Sequence, residues 1–186
     1  MQMVLCGKVN KDLVSLIVKA GGKAVGLCGI DCEMLTAKKK SKKLGLVGEI
    51  ADVNAQIITD MTRNNYIPVI ATVASGEDGV YNINADTAAA KIAAALGAER
   101  FLSLTDVPGL LMDPGDDTTL ISEVHVSNIP KLVKEGVIKG GMIPKIDCCV
   151  EAIRQGVKKT SIIDGRVPHS ILMEMFSHEG MGTQIY

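Results

Sequence analysis

The sequence predicts an α/β fold in which an open, mostly parallel sheet is sandwiched between helices. Short aliphatic runs typical of buried strands alternate with segments of helical periodicity, and no long linker separates them. Aromatic residues make up only 3% of the chain and tryptophan is absent, so the core must consist mainly of aliphatic side chains, as in parallel sheets. The 19 glycines supply the tight turns that such an alternation requires.

Each predicted helix has helical periodicity and a start or stop signal, and each predicted strand is a short run rich in aliphatic residues. The predicted helices cover residues 10–18, 52–64, 86–96, 127–135, 141–155 and 168–176. The predicted strands cover residues 24–29, 67–73, 101–105 and 160–164, a hairpin of residues 32–37 and 46–50, and an edge strand at 183–185.

Glycine and proline mark the element boundaries. Gly22, Gly97 and Gly156 follow helical segments, where glycine commonly ends a helix. Pro68 lies near the start of its strand and Pro130 in the first turn of its helix, which are positions where proline is tolerated. Ser127 or Asn128 is the expected cap of that helix.

Composition excludes several classes of protein. The chain has 186 residues, 47% hydrophobic and 22% charged, as expected of one globular domain. Its net charge of -1 argues against general nucleic-acid binding, and the absence of a long apolar run argues against a membrane span. Five cysteines, an odd number, favour a reducing compartment such as the cytoplasm. Cys28 and Cys32 lack a matching second pair of ligands, so no metal site is expected.

Three polar segments at predicted strand ends or helix starts are candidates for a functional site. Residues 81–87 place Asn82, Asn84 and Asp86 before an alanine-rich helix, and one capping residue alone would suffice there. A polar cluster at a helix N-terminus favours an anion site, although helix capping is the alternative. Residues 105–110 follow a buried strand and equally suit a plain turn.

The third segment, residues 140–145, opens a helix with Gly-Gly and carries Lys145 in the first turn. A lysine at this end opposes the helix dipole, so it is misplaced for stability. A bound phosphate would explain the position, and an exposed lysine without function is the alternative.

Taken together, these segments resemble the amino acid kinase family, and within it the acetylglutamate kinase group. The matching stretches occur in the family order and cover nearly the whole chain: residues 7–11, 81–86, 104–111, 140–145, 162–166 and 179–183. The resemblance implies a carbamate kinase-like architecture and ATP-dependent phosphorylation of the side-chain carboxylate of N-acetyl-L-glutamate, a step of arginine biosynthesis. It also implies Mg²⁺, which arrives with the nucleotide.

The resemblance assigns roles residue by residue. Lys145 stabilises the transferring phosphoryl group, Asp86 organises the catalytic lysines, and Asn82 holds the acylated amino acid. An arginine effector site is implied at Glu174 and Gly180. The residues that match the ATP-binding loops are Asp106, Val107, Pro108, Gly109, Leu110, Leu111, Val137, Ile138 and Lys139.

The chain departs from the family pattern at its beginning, where the family's Lys-x-Gly-Gly loop is not found. The resemblance therefore implies a chain truncated at the N-terminus, with residues 1–65 the remainder of the acyl-substrate half and residues 66–186 the nucleotide half. We expect this chain alone to be inactive or weakly active, and the full-length protein to be a homo-oligomer. A plastid location is the alternative to the cytoplasm if the full-length protein carries a transit peptide.

Two other functions stay open. Another family member, such as a glutamate, aspartate or UMP kinase, would share the nucleotide loops and differ around Asn82. A non-catalytic module that binds a nucleotide or arginine would show binding without turnover.

Overall fold

The computed structural model describes residues 1–186, and helices and strands alternate along the chain as predicted. The helices are α1 (Asn10–Lys19), α2 (Gln56–Arg63), α3 (Ala85–Ala95), α4 (Ile129–Lys134), α5 (Met142–Arg154) and α6 (Ser170–Phe176). The strands are β1 (Ala24–Cys28), β2 (Leu35–Lys39), β3 (Gly48–Val53), β4 (Ile67–Ala71), β5 (Val73–Gly76), β6 (Gly79–Asn82), β7 (Arg100–Thr105), β8 (Glu123–Val124), β9 (Lys159–Asp164) and β10 (Thr183–Ile185). None of the helices combines the length and the apolar character that a membrane span requires.

The chain forms two compact units, residues 1–96 and residues 97–186, called unit 1 and unit 2 below. The boundary between them falls after α3, whereas the sequence places a division at residue 65. That the chain is a single domain with an acyl-substrate half and a nucleotide half stays a prediction.

Unit 1 contains two sheets. Strands β1 and β4 pair in parallel, and a second sheet has the strand order β3-β2-β5-β6. Alternate side chains of these strands point into a core that α2 and α3 close with Ile58, Ala88 and Ile92. Met34, Leu35 and Ala74 in this core are fully shielded from solvent. This apolar burial is the main stabilising contribution to the unit.

Asn10, in the stretch of residues 7–11 noted above, holds α1 against the parallel pair β1 and β4. Its Nδ2 donates hydrogen bonds to the carbonyl oxygens of Leu27 (3.1 Å) and Val69 (2.7 Å), one on each strand. The close approach depends on Gly26, because a Cβ there would lie 2.0 Å from Asn10 Oδ1. This stretch therefore has a structural role in unit 1.

Unit 2 is built on one sheet with the strand order β7-β9-β10-β8. β7 and β9 are parallel, β10 is antiparallel to β9, and β8 is parallel to β10. Ile162, Ile163 and Ile185 on these strands have no exposed surface, and α5 adds the buried Ile146 and Cys149. The carboxyl ends of β7 and β9 lead into the loops at residues 106 and 165, where open α/β sheets bind their ligands.

The α/β class is confirmed, and the parallel strand pairs are present in both units. The strands form three sheets, and antiparallel pairs are added to the parallel ones.

Two predicted boundaries in unit 1 are wrong. Cys32 and Glu33 have φ values of 52° and 50°, outside the extended region, so β2 begins only at Leu35. Asp52 belongs to β3, where it pairs with Thr36, and α2 therefore begins at Gln56 rather than at residue 52. At Asp52, strand pairing with a distant residue outweighs the local helical preference, whereas Cys32 and Glu33 belong to a tight 3-10 turn that precedes the strand.

No helix or strand is predicted for residues 74–85, but residues 74–82 form most of a hairpin. β5 and β6 pair from Val73–Asn82 to Gly76–Gly79, and Gly79 has a φ of 122° that allows the tight turn. Asn82 consequently lies at the end of a strand and not in an open loop.

One prediction in unit 2 is wrong and one is confirmed in position. β10 is not an edge strand, because it lies between β9 and β8. Asn128, one of the two expected caps, is the N-cap residue of α4, although its side chain makes no capping hydrogen bond. Ser127 lies in the preceding 3-10 turn, where the His125 side chain accepts from the Ser127 N–H. Pro130 does lie in the first turn of α4, as predicted.

Candidate functional site

A cavity of about 430 Å³ opens in unit 2 beside the loop that follows β7. Eight of the nine residues assigned to the ATP-binding loops line it: Asp106, Val107, Pro108, Gly109, Leu110, Leu111, Val137 and Lys139. Ile138, the ninth, is 2% exposed and belongs to the buried core. The volume and the mixture of apolar walls with a few charges are typical of small-molecule pockets.

Within the loop after β7, the segment from Leu110 to Ile121 closes on itself. Leu110 and Ile121 are joined by the hydrogen bond from the Ile121 N–H to the Leu110 carbonyl (2.9 Å). At the tip, Asp116 Oδ1 accepts from the Thr118 hydroxyl (2.6 Å) and the Thr118 N–H (2.9 Å). These hydrogen bonds lower the pKa of Asp116, since they stabilise its charged form.

Arg166 lines the same cavity and is fixed by Asp164, the last residue of β9. The Arg166 Nε lies 3.0 Å from Asp164 Oδ1 and the Nη2 lies 2.7 Å from Oδ2, a bidentate ion pair. The guanidinium hydrogen bonds and the Arg166 N–H hold the pKa of the Asp164 carboxyl below its usual value. Asp164 likewise raises the pKa of Arg166, with smaller contributions from the nearby carboxylates of Asp106 and Asp117.

This ion pair predicts an acid-sensitive contribution to the stability of unit 2. Because the folded-state pKa of Asp164 is depressed, the stabilisation is fully present above the ordinary pKa of an aspartate. It is lost as pH falls through the lower, folded-state value. We expect urea midpoints measured between pH 6 and pH 3 to fall less steeply for Asp164→Asn than for the wild type. Glu123→Gln, which removes an exposed carboxylate from β8, should leave the pH profile unchanged, and equal profiles for all three proteins would contradict the assignment.

The start of α5 has the features that suggested an anion site. Gly140 has a φ of 55°, Gly141 precedes the first helical residue, and neither a side-chain cap nor an acidic residue occupies the first turn. Lys145 is half-buried in this turn. The backbone N–H groups and the helix dipole at this end favour a negatively charged group.

The three residues of the polar cluster predicted in unit 1 have different positions in the structure. Asn84 is the cap of α3, since its Oδ1 accepts from the Thr87 N–H (3.0 Å). Asn82 instead lines a cavity of about 410 Å³ whose other walls are mainly aliphatic: Leu44, Leu46, Val47, Val73 and Val80. Asp86 lies half-buried in the first turn of α3.

A second cavity in unit 1, of about 570 Å³, contains none of the residues assigned to the site. Its lining includes Lys39, Asp78 and Tyr81, with Lys39 Nζ 2.9 Å and Tyr81 Oη 3.2 Å from Asp78 Oδ2. These groups satisfy one another, and we assign the cavity no function.

Glu174 and Gly180, the residues assigned to an arginine effector site, lie together in unit 2. Glu174 is 5% exposed, and its Oε2 accepts from the Met181 N–H (2.8 Å). A Cβ on Gly180 would lie 2.8 Å from this oxygen, so the segment approaches the carboxylate closely. The effector role stays a prediction.

Four residues of the unit 2 cavity were not assigned to the site from the sequence: Pro114, Asp117, Met142 and Arg166. Met142 and Arg166 lie in stretches that match the family, but nothing local distinguished their side chains as cavity residues. Asp117 and Pro114 reach the cavity only because the loop after β7 folds back. No group of three or more His, Cys, Asp or Glu side chains is arranged to hold a metal ion.

The chain matches both a family pattern and a curated relative of known name. The amino acid kinase family pattern matches residues 1–164. The acetylglutamate kinase of Clostridium beijerinckii is 64% identical over 189 residues, which cover 100% of this chain and 66% of that protein. The chain thus spans about two thirds of the length of this curated relative. That the missing part lies at the N-terminus stays a prediction.

Two solved structures share the fold at lower sequence identity. N-acetylglutamate synthase from Neisseria gonorrhoeae has a TM-score of 0.80 at 22% identity, covering 96% of this chain and 41% of that one. Giardia carbamate kinase has a TM-score of 0.71 at 15% identity, covering 99% of this chain and 70% of that one. The carbamate kinase-like architecture is therefore confirmed, and the chain belongs to the amino acid kinase family.

Proposed function

We propose that this chain is the nucleotide-binding portion, with part of the acceptor site, of an enzyme that transfers the γ-phosphoryl group of MgATP to the side-chain carboxylate of N-acetyl-L-glutamate. The observation that carries the proposal is the unit 2 cavity, which gathers eight residues assigned independently from sequence. The 64% identity to an acetylglutamate kinase supports the choice of acceptor.

The proposed roles in unit 2 follow from charge and shape. The aliphatic walls of the cavity suit the apolar faces of a base and sugar, while Asp106 and Asp117 can accept hydrogen bonds from hydroxyl or amino groups. The phosphates extend to the N–H groups at the start of α5, where Lys145 neutralises charge that grows on the transferring group. Mg²⁺ is bound by the phosphates and enters with the nucleotide.

The proposed chemistry needs little covalent work from the protein. A carboxylate oxygen of the acceptor attacks the γ-phosphorus, the bond to the β,γ-bridging oxygen breaks, and ADP leaves with the electron pair. Because the acceptor is already ionised, no general base is required. Positioning and charge neutralisation supply most of the acceleration.

In unit 1, Asn82 is the proposed acceptor contact. Its side-chain amide can pair with the acetamido group, and the surrounding leucines and valines suit the acetyl methyl group. No lysine or arginine side chain lines this cavity.

The proposal is tested by measuring ADP formation with MgATP and alternative acceptors. The enzyme is a chimera that joins this chain to the part of the Clostridium beijerinckii relative outside the match. We expect N-acetyl-L-glutamate to support turnover at least 100-fold better than glutamate, aspartate or UMP, because only it fills the apolar part of the Asn82 cavity.

Preference for another of these acceptors would identify a different kinase of the same family. Nucleotide binding without turnover on any acceptor would identify a non-catalytic module. In the chimera, the Asn82→Ala substitution should raise the KM for the acceptor and leave the KM for ATP unchanged.

A further inference from the structure

We propose that Thr183 is the positioning residue of the nucleotide loop (residues 110–121, part of the loop after β7), holding its two ends together from strand β10. The inference rests on the proposed function, because the loop matters to catalysis only if it binds a nucleotide. Thr183 was not among the residues assigned to the site, and it does not line the cavity.

The side-chain hydroxyl of Thr183 bridges the root of the loop. Its Oγ1 accepts from the Leu110 N–H at 2.7 Å and donates to the Ile121 carbonyl at 2.8 Å. Leu110 and Ile121 are the residues at which the loop closes on itself. One hydroxyl therefore satisfies a donor at the beginning of the loop and an acceptor at its end.

Thr183 is itself held rigidly. It has no exposed surface, and it pairs with Ile162 in the centre of the unit 2 sheet. The adjacent Gln184 donates its N–H to the Ser122 carbonyl at 2.8 Å. The loop is thus fastened to the most buried part of unit 2 and not merely to its own turns.

The backbone at residue 109, just before this loop, passes so close to Thr183 that only glycine fits there. Gly109 has a φ of 153°, and a Cβ on it would lie 2.6 Å from Thr183 Oγ1. A side chain at residue 109 would therefore push the loop away from the hydroxyl. The glycine that sequence reasoning assigned to nucleotide contact also serves this packing.

Removing the hydroxyl should weaken nucleotide binding without dismantling the sheet. Thr183→Val keeps the shape of the side chain and leaves the Leu110 N–H and the Ile121 carbonyl without their partner. Unsatisfied buried groups of this kind favour rearrangement of the loop. We expect MgADP, measured by calorimetry on this chain, to bind about tenfold more weakly, and Thr183→Ser to bind within about twofold of the wild type.

The chain offers a matched control on the next strand. Thr160 is also fully buried, but its hydroxyl has no hydrogen-bond partner. Thr160→Val should leave MgADP binding unchanged. In the chimera, Thr183→Val should raise the KM for ATP more than it lowers kcat, which a general loss of stability would not produce.

Equal MgADP affinity in Thr183→Val and the wild type, or an equal loss in Thr160→Val, would overturn the proposal while leaving the proposed function intact. If Thr183→Val does not fold, hydrogen exchange in the wild type decides, because the Leu110 amide should be protected like the strands of the sheet. Rapid exchange there would overturn the proposal. A wild-type chain that binds no MgADP would overturn the proposed nucleotide site, and protection at Leu110 would then support only the anchoring of the loop.

Discussion

Replacing Lys145 with methionine in the chimera is expected to lower kcat for phosphoryl transfer about 1,000-fold. The ammonium group at the start of α5 is proposed to neutralise charge that develops on the transferring phosphoryl group. Removing one such group typically costs two to three orders of magnitude or more. Methionine preserves much of the length and apolar stem of lysine, so the loss measures the charge. The measurement is the initial rate of ADP formation at saturating MgATP and N-acetyl-L-glutamate.

The Lys145→Met substitution should lower kcat but change the KM for the acceptor little, because the lysine charge matters most in the transition state. Lys158→Met is the matched control, since Lys158 in unit 2 is 71% exposed and pairs only with Glu99 on the surface. A Lys145→Met rate within tenfold of the wild type would show that this lysine does not stabilise the transferring group.

Replacing Gly182 with alanine is expected to destabilise unit 2 by about 3 kcal/mol or more, at the upper end of single substitutions. A Cβ at this position would lie 2.0 Å from the Ile162 carbonyl oxygen and 2.8 Å from Ile163 Cγ2. Both isoleucines are fully buried, so the conflict can be relieved only by moving β10 away from β9. The melting temperature should fall by about 10 °C or more.

Gly7→Ala provides the comparison. Gly7 has open space where a Cβ would be placed, so an alanine should be neutral or slightly stabilising. Thermal unfolding followed by circular dichroism measures both variants. A Gly182→Ala protein as stable as Gly7→Ala would mean that β10 does not pack against β9 as described.

Local signals predicted most helices and the strands of two parallel pairs, β1–β4 and β7–β9. The alanine-rich run that ends at Gly97 predicted a helix at residues 86–96, one residue from its actual position at 85–95. The apolar runs of β1 and β9 were equally clear, because both strands are mostly shielded from water. These elements satisfy local propensity and tertiary packing at once.

The elements that were missed depend on distant partners. Residues 79–82 become a strand because β5 supplies the hydrogen bonds, and the four-residue run Gly-Val-Tyr-Asn is too short to be a clear strand signal by itself. β10 takes a central position in the sheet because β8, only two residues long and not predicted, lies beyond it. Short strands are specified by their neighbours more than by their own residues.

The candidate site shows the same division. Turn residues after a buried strand marked residues 105–110 as a candidate segment, and the resemblance to the amino acid kinase family then assigned Asp106 and Gly109 to the ATP-binding loops. Arg166 and Thr183 lie in stretches that match the family but were given no role, because their roles arise from contacts with Asp164 and with Leu110 that are visible only in the folded chain.

The central claim is that the unit 2 cavity binds the nucleotide, and hydrogen exchange of this chain with and without MgADP tests it most directly. We predict slower amide exchange in two segments, residues 106–111 and residues 137–142, together with a higher melting temperature. A ligand present at about 100 times its Kd adds roughly 2.7 kcal/mol to the free energy of unfolding, so the change in melting temperature is measurable. Unchanged exchange in both segments at saturating MgADP, in a chain that unfolds cooperatively, would contradict the account.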